Sequence, residues 1–247
     1  MKDMTSNHHE DEVFRNKRVI KNPIKFKLAL NKEQKEAKSK ILENTITMLA
    51  GKAGSGKTLL AVQIALDGLL RRHYEKIIIT RPTVSKEEIG FLPGDLREKM
   101  DPWIQPIYQN MFALYDKVKV EALIEDGKIE IVPLAFMRGR TFLDSCIIVD
   151  EAQNVTHDQM EMIATRIGLR SKMIICGDDH QTDLKSKRES GFRFLYTSMR
   201  KIKNAIGITL LQNHRDPIVD DLIKIYEEAE ARGLKLGSSG ASGRSKK

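Results

Sequence analysis

The stretch Gly51-Lys52-Ala53-Gly54-Ser55-Gly56-Lys57-Thr58 decides the fold, because it matches every fixed position of the pattern G-x-x-x-x-G-K-[ST]. That pattern builds a loop whose backbone N–H groups surround phosphate oxygens. The apolar run before it, residues 46–50, predicts a buried strand, and residues 59–66 predict a helix after it. A glycine-rich turn without a ligand would not need this strand–loop–helix context. The sequence therefore predicts that the chain binds a nucleoside triphosphate.

Each residue of the loop has an expected role. The glycines permit backbone angles and a close approach that a Cβ atom would forbid. Lys57 is expected to reach the β- and γ-phosphates, and Thr58 to supply a hydroxyl ligand to Mg²⁺. The expected nucleotide contacts are Gly51, Lys52, Ala53, Gly54, Ser55, Gly56, Lys57, Thr58 and Leu59.

Composition limits the class of protein. The 247 residues, 40% of them hydrophobic, fit one large α/β domain. No apolar run reaches membrane-spanning length, and the first residues lack a secretory signal, so we expect a cytoplasmic protein. Cys146 and Cys176 lie in apolar runs and suit small buried residues in a reducing compartment, not a disulfide or zinc site. The formal net charge of +8 weakly favours a polyanionic partner.

Short β-branched runs alternate with helical stretches, which predicts a mainly parallel sheet with helices on both faces. The predicted strands cover residues 46–50, 77–80, 129–132, 146–149, 173–176 and 208–211. The predicted helices cover residues 32–42, 58–70, 102–115, 157–167 and 217–231. We expect one ATPase core over residues 26–232, between a flexible N-terminus (1–25) and a flexible basic tail (233–247).

A second motif ends the strand predicted at residues 146–149. Two acids follow that buried run directly, so their carboxylates should lie at the C-terminal edge of the sheet, where ligand sites of α/β proteins form. Asp150 can hold the Mg²⁺ shell, and Glu151 can orient or deprotonate an attacking water. An acidic loop without a catalytic role is the alternative.

A third motif follows the strand predicted at residues 173–176, whose tip should lie beside Asp150. Gln181 can both donate and accept a hydrogen bond, which suits sensing of a γ-phosphate or its water. A polar turn that only caps the strand is the other interpretation.

Together these three segments resemble motifs I, II and III of the superfamily 1 helicases. The upstream segment 30–37 resembles the adenine-reading element of that group, which implies that Gln34 binds adenine and favours ATP. Taken by itself, Gln34 is a polar residue on a lysine-rich helix.

A closer resemblance, over residues 30–226, is to the PhoH-like family of ATPases. It implies a RecA-like P-loop domain that forms hexameric rings and acts on RNA or single-stranded nucleic acid. The compact chain resembles the stand-alone form of tailed bacteriophages, which would place it in the host cytoplasm. The strings that carry this resemblance are Arg81-Pro82-Thr83-Val84, Ile89-Gly90-Phe91-Leu92-Pro93-Gly94-Asp95-Leu96, Asp101-Pro102-Trp103, Pro133-Leu134-Ala135-Phe136-Met137-Arg138-Gly139-Arg140-Thr141-Phe142 and Asp150-Glu151-Ala152-Gln153-Asn154.

Two segments depart from the family pattern. Residues 85–88 replace a Gly-Glu pair of the bacterial members, and residues 213–217 replace an Arg-His-Pro string. Arg215 is the nearest counterpart of the arginine in that string, as a contact to phosphate.

One core supplies only half of a hydrolysis site of the two-domain helicase type. An arginine donated by a neighbour is worth about 10³ to 10⁵ in rate, so we expect a ring in which an adjacent subunit supplies it. The candidates are Arg138, Arg140, Arg166, Arg170 and Arg215.

Loops at the strand tips are the expected nucleic-acid contacts. Arg81, Thr83 and Lys86 offer donors to phosphates, and Phe91 offers an aromatic ring for stacking. Arg138 and Arg140 could add further phosphate contacts, and Phe91 could instead be a buried anchor of its loop.

Two other classes stay open. A nucleoside kinase of the thymidine-kinase type also pairs a phosphate loop with a D-E-x-Q strand end, although such kinases carry a four-cysteine zinc site. An ATP-gated nucleic-acid-binding protein without motor activity would not need Glu151 as a base.

Overall fold

The computed structural model describes residues 26–82, 96–178 and 189–232. Within these ranges six strands form one wholly parallel sheet in the order β3-β2-β4-β5-β1-β6. The α/β class predicted from the sequence is confirmed. The strands are β1 (Ile46–Ala50), β2 (Lys76–Thr80), β3 (Ile129–Ile131), β4 (Ser145–Val149), β5 (Lys172–Gly177) and β6 (Ala205–Thr209).

Helices connect the strands in the described part of the chain. They are α1 (Lys32–Glu43), α2 (Lys57–Leu70), α3 (Leu96–Leu114), α4 (Lys117–Glu125), α5 (His157–Ala164), α6 (Gly191–Ser198) and α7 (Pro217–Ala231). None of these described helices has the length and apolar character needed to cross a bilayer.

The core has two layers, one on each face of the sheet. Side chains alternate along a strand, so Ile148 of β4 joins one cluster while Ile147 and Val149 join the other. Helices α1 to α4 cover the first face, and α5 and α6 cover the second. The expected burial of the sheet between helices is therefore confirmed.

The strand order brings the three polar motifs to one edge. Strand β5 pairs with β4 on one side and with β1 on the other, and Ala50 lies in register with Gly177. Because all strands are parallel, the carboxyl ends of β1, β4 and β5 are neighbours. The expectation that the tip of the third motif lies beside that of the second is confirmed.

The last strand lies earlier than predicted. Strand β6 begins at Ala205 and ends at Thr209, not at residues 208–211. Leu211 is 83% exposed, and its backbone N–H donates to the Glu33 carboxylate at 2.8 Å rather than to a strand. The apolar pair Leu210-Leu211 was therefore a misleading signal for the position of this strand. The residues of β6 itself are half-buried at the edge of the sheet and carry little hydrophobic pattern.

Helix boundaries also differ from the prediction. Helix α3 begins at Leu96, so Pro102 is an interior residue and not its start. Helix α5 ends at Ala164, because the following backbone pairs instead with Phe142, which donates to Arg166 O and accepts from Gly168 N. The sequence did not predict α4 or α6, both of which are short.

A buried lysine joins α1 to the sheet. Lys172, at the start of β5, is 7% exposed, and its Nζ donates to the carbonyls of Ile41 (2.6 Å), Leu42 (3.4 Å) and Asn44. Burial lowers the pKa of Lys172 from its ordinary value. The ammonium therefore satisfies the C-terminal carbonyls of α1, where the helix dipole favours a cation.

A second compact unit begins at Asn213. Its described part consists of a short lead-in and α7, where Asp216 Oδ1 accepts from the N–H of Ile218 at 3.0 Å. Ile218, Leu222, Ile225 and Tyr226 are exposed at helical spacing, so this helix presents an apolar stripe within its own unit.

Candidate active site

The phosphate loop owes its shape to three glycines. Gly51, Gly54 and Gly56 have φ angles of 153°, 87° and 81°. A Cβ atom on Gly51 would lie 2.6 Å from Leu210 O and 2.8 Å from Ser55 Oγ. No side chain caps the N-terminus of α2, which follows Gly56. The first N–H groups of α2 therefore remain for an anion.

Lys57 places its charge at the mouth of this loop. Its Nζ donates to Gly51 O at 2.6 Å and to Lys52 O at 2.9 Å, and Ser55 Oγ lies 3.5 Å away. The ammonium is thus held among the loop residues by neutral acceptors. Anionic phosphate oxygens would be stronger partners for it than these carbonyls.

Thr58 and Asp150 form the polar floor of the site. Thr58 Oγ1 donates to Asp150 Oδ1 at 2.7 Å, and Asp150 is only 4% exposed. Burial raises the pKa of Asp150, the Thr58 hydrogen bond opposes that shift, and the neighbouring Glu151 carboxylate adds to it. A buried carboxylate in this setting favours a bound cation.

A hydroxyl and a carboxylate fit Mg²⁺, which takes hard oxygen ligands and completes its shell with water and phosphates. Within the described residues no cluster of three or more His, Cys, Asp and Glu side chains could hold a metal ion.

Glu151 adopts a left-handed backbone conformation, with φ 51° and ψ 38°. The ladder of β4 ends just before it, where Asp150 N donates to Thr80 O at 2.9 Å. Arg81 Nη2 donates to Glu151 Oε1 at 3.3 Å, and Gln153 Nε2 donates to Glu151 Oε2 at 2.6 Å. Two donors therefore fix both oxygens of a side chain that is still 42% exposed.

Gln153 and Asp178 connect this carboxylate to the phosphate loop. Gln153 Oε1 accepts from the backbone N–H of Asp178 at 3.0 Å. Asp178 Oδ2 in turn accepts from the N–H of Ala53, also at 3.0 Å. The sequence alone gives no role to Gln153 or Asp178, because Ala53 and Asp178 are 125 positions apart.

Gln34 takes part in a helix cap. Its Oε1 accepts from Asn31 N at 3.2 Å, and Asn31 Oδ1 accepts from Gln34 N at 2.7 Å, which is a capping box. Gln34 is 4% exposed and is not a solvated residue of the helix surface. The cap fixes the orientation of the carboxamide, and its Nε2 is the group that could address a base.

The candidate arginines differ in their surroundings. Arg140 Nη1 pairs with Glu130 Oε1 at 2.8 Å, and its guanidinium lies 4.7 Å from the Phe142 ring. Arg170 forms a two-pronged ion pair with Asp144. Arg166 donates to the carbonyls of its own helix end and of Arg140.

Two of the candidates are exposed. Arg138 makes no hydrogen bond or ion pair within the ranges that the structure describes. Arg215 lies in the second unit, where its N–H donates to Asn213 Oδ1 at 3.0 Å.

Of the four residues predicted to contact nucleic acid at the strand tips, the structure describes Arg81. Arg81 lies against Glu151, at the carboxyl edge of the sheet. Thr83, Lys86 and Phe91, like Gln181 of the third motif, lie outside the described residues.

Comparison with known sequences gives one consistent family. Residues 28–227 match the model of the family described as PhoH-like protein. A PhoH-like protein of Synechocystis is 42% identical over 193 residues, which cover 77% of this chain and 59% of that protein. The PhoH-like protein of Bacillus subtilis is 43% identical over 201 residues, 79% of this chain and 62% of its own length. The chain thus spans about three-fifths of the length of these curated relatives.

Comparison with solved structures returns distant neighbours. The Pif1 helicase from Candida albicans has a TM-score of 0.44 and 17% identity, covering 81% of this chain and 44% of the helicase. Bacteroides Pif1 bound to ssDNA has a TM-score of 0.40 and 16% identity, covering 80% and 46% of the respective chains.

Proposed function

The chain belongs to the PhoH-like family, and from that premise we propose that it is a Mg²⁺-dependent ATP hydrolase acting as a ring-forming motor or remodeller on single-stranded RNA or DNA. One observation carries the hydrolytic part. The Thr58 hydroxyl, the buried Asp150 carboxylate and the doubly held Glu151 carboxylate meet at the foot of the phosphate loop. In-line hydrolysis of a γ-phosphate needs this combination of metal ligands and a water-orienting group.

Each residue has a part in the proposed reaction. The loop N–H groups and Lys57 bind the phosphates, while Thr58 and Asp150 would hold Mg²⁺, whose charge would offset that of the phosphate oxygens. Glu151 orients a water whose oxygen attacks the γ-phosphorus as the bond to the β,γ-bridging oxygen breaks. The water proton passes to the Glu151 carboxylate, and ADP leaves with the bridging oxygen. Gln181 is proposed to contact the γ-phosphate, and Gln34 the adenine.

A ring is part of this proposal because an arginine from a neighbouring subunit would complete the hydrolysis site. Arg138 is our first candidate: it is exposed and unpaired in the described ranges, whereas Arg140 is already engaged by Glu130. Arg215 stays a second candidate.

Subunit mixing tests this arrangement. A mixture of Arg138→Ala and Lys57→Ala subunits is expected to recover turnover that neither variant has alone, because some interfaces then combine an intact loop with an intact arginine. No recovery with a variant of any of the five candidate arginines would contradict a trans arginine.

Nucleic acid is proposed as the partner because the chain carries a net charge of +8 and its family resemblance points there. Arg81, which lies beside Glu151, is one proposed contact to the strand. Thr83, Lys86 and Phe91 stay proposed contacts. Binding to phosphates should weaken steeply with salt, so a flat salt response would contradict this part.

One experiment separates the function classes. ATP turnover is measured alone and with oligo-RNA, oligo-DNA or thymidine, using Glu151→Gln as the low-activity control. We expect basal turnover that a single-stranded oligonucleotide stimulates. Phosphorylation of thymidine would indicate a nucleoside kinase, and nucleotide binding without turnover would indicate an ATP-gated binding protein.

A further inference from the structure

We propose that Gln153 is a positioning residue: its carboxamide holds the Glu151 carboxylate and, through Asp178, ties that carboxylate to the phosphate loop. The inference rests on the proposed ATP hydrolysis and assigns two residues, Gln153 and Asp178, that act on the reaction without touching the phosphates. Four contacts from Arg81 to Ala53 carry it.

Both the nitrogen and the oxygen of the Gln153 carboxamide form hydrogen bonds. Nε2 donates to Glu151 Oε2 at 2.6 Å, while Oε1 accepts from Asp178 N at 3.0 Å. Gln153 is 5% exposed, so water does not readily replace either partner. Ser190 Oγ also donates to the Gln153 carbonyl at 3.1 Å, which fixes the backbone that carries the side chain.

Asp178 is hydrogen-bonded to the phosphate loop. Asp178 is 3% exposed and directly follows β5, the strand between β1 and β4. Its Oδ2 accepts from Ala53 N at 3.0 Å, so a carboxylate sets the orientation of one loop peptide. A charge-assisted hydrogen bond of this kind is stronger than one between neutral groups.

The two hydrogen bonds of Gln153 depend on the chemistry and length of the glutamine side chain. A carboxamide presents a donor and an acceptor on one planar group without gaining or losing a proton. Ionised glutamate would keep the acceptor toward Asp178 but lose the donor toward Glu151 and place a second negative charge beside it. Asparagine is one methylene shorter and cannot span both partners.

The consequence is that Glu151 has a defined orientation relative to the loop. Arg81 holds one carboxylate oxygen and Gln153 the other, so the plane of the carboxylate is fixed before a substrate arrives. A misplacement of about 1 Å in a catalytic group can reduce a rate by about 10²-fold.

Steady-state kinetics of Gln153→Glu tests the proposal. We expect kcat to fall about 10²-fold while the Kd for an ADP analogue changes less than about threefold, because the loop contacts remain. Gln159→Glu is the matched control: Gln159 accepts from Thr156 N in a helix cap, and a glutamate keeps that acceptor. The control should retain wild-type kcat and thermal stability.

A double-mutant cycle separates positioning from general damage. If Gln153 acts through Glu151, Gln153→Glu should lower the residual rate of Glu151→Gln by less than about twofold, since the group being positioned is gone. A full 10²-fold further loss, or a wild-type kcat in Gln153→Glu alone, would overturn the proposal.

Asp178 variants test the second link. Asp178→Asn keeps an acceptor for Ala53 and should bind the ADP analogue like wild type, whereas Asp178→Ala should bind it about tenfold more weakly. Equal Kd values for both would overturn this link.

Two outcomes need separate treatment. If Gln153→Glu does not fold, Gln153→Asn serves in its place, and wild-type turnover of that variant would overturn the proposal. A wild-type protein that binds ATP but never hydrolyses it would contradict the proposed function, whereas an active wild type with an equally active Gln153→Glu contradicts only the positioning role.

Discussion

Replacing Lys172 by methionine should destabilise the protein without touching the active site. Methionine keeps most of the apolar length of the side chain but removes the ammonium that donates to Ile41 O, Leu42 O and Asn44 O. The carboxyl end of α1 then loses its cation and its main hydrogen-bond donor.

The expected loss of unfolding free energy follows from the burial of each acceptor. Ile41 is fully buried, and its carbonyl would keep only the long hydrogen bond from Asn44 N at 3.3 Å, so loss of the charge-assisted partner costs about 1 to 3 kcal/mol. Leu42 is 52% exposed, and water can replace the donor to its carbonyl. The lowered pKa of Lys172 means that burial of the charge outweighs the helix dipole, so loss of the charge itself adds nothing to this cost. We therefore expect a loss of about 1 to 3 kcal/mol, or a decrease of roughly 2 to 12 °C in Tm.

Urea and thermal denaturation, followed by circular dichroism, measure this loss. Lys76→Met is the control, because Lys76 is 49% exposed and its Nζ lies 4.0 Å from Glu130, an ion pair worth under about 1 kcal/mol. If Lys172→Met lost no more stability than Lys76→Met, the capping argument would be wrong.

The pH dependence provides an independent check. Burial lowers the pKa of Lys172 in the folded state, so the unfolded chain holds this proton to higher pH than the folded chain does. Stability rises with pH wherever the unfolded state binds more protons. The stability of wild type relative to Lys172→Met should therefore increase from the lowered pKa toward the ordinary value of 10.5. A difference that decreased over this range would contradict the assignment.

The remaining predictions concern the nucleotide site. Gly51→Ala should abolish binding of a fluorescent ATP analogue, because its Cβ would lie 2.6 Å from Leu210 O; Gly127→Ala, whose Cβ would meet nothing within 4 Å, controls for the effect of positive φ. Thr58→Val should lower Mg²⁺-dependent turnover about 10²-fold, since removing one group that stabilises transition-state charge has that order of effect, while Thr58→Ser keeps most of it. Equal turnover of the two Thr58 variants at all Mg²⁺ concentrations would exclude Thr58 as a ligand.

The sequence predicted the parts of the site that are local. A complete loop motif between a strand and a helix, and two acids after an apolar run, each specify their own backbone environment. The neighbouring positions of Asp150 and the third motif also followed, because parallel strands end at one edge.

The contacts between motifs were beyond sequence reasoning. Ala53 meets Asp178 only because β5 inserts between β1 and β4, and this strand order is a property of the whole sheet. The position of β6 was predicted wrongly for a different reason. Gly207 of this strand accommodates the Tyr196 ring, because a Cβ atom there would lie 2.9 Å from Tyr196 Cε2. Packing, and not β-propensity, therefore selects glycine at this position.

The left-handed conformation of Glu151 has a further consequence for how this protein could change. A side chain other than glycine or asparagine at such angles raises the energy of the folded state by about 1 to 2 kcal/mol, so glycine at this position would relieve strain while removing the carboxylate. Glycine would also leave Gln153 Nε2 without its acceptor in a buried position, which costs about 1 to 3 kcal/mol. The hydrogen bonds to the Glu151 carboxylate therefore offset the strain of its backbone, and a variant that removes Gln153 would leave that strain without compensation.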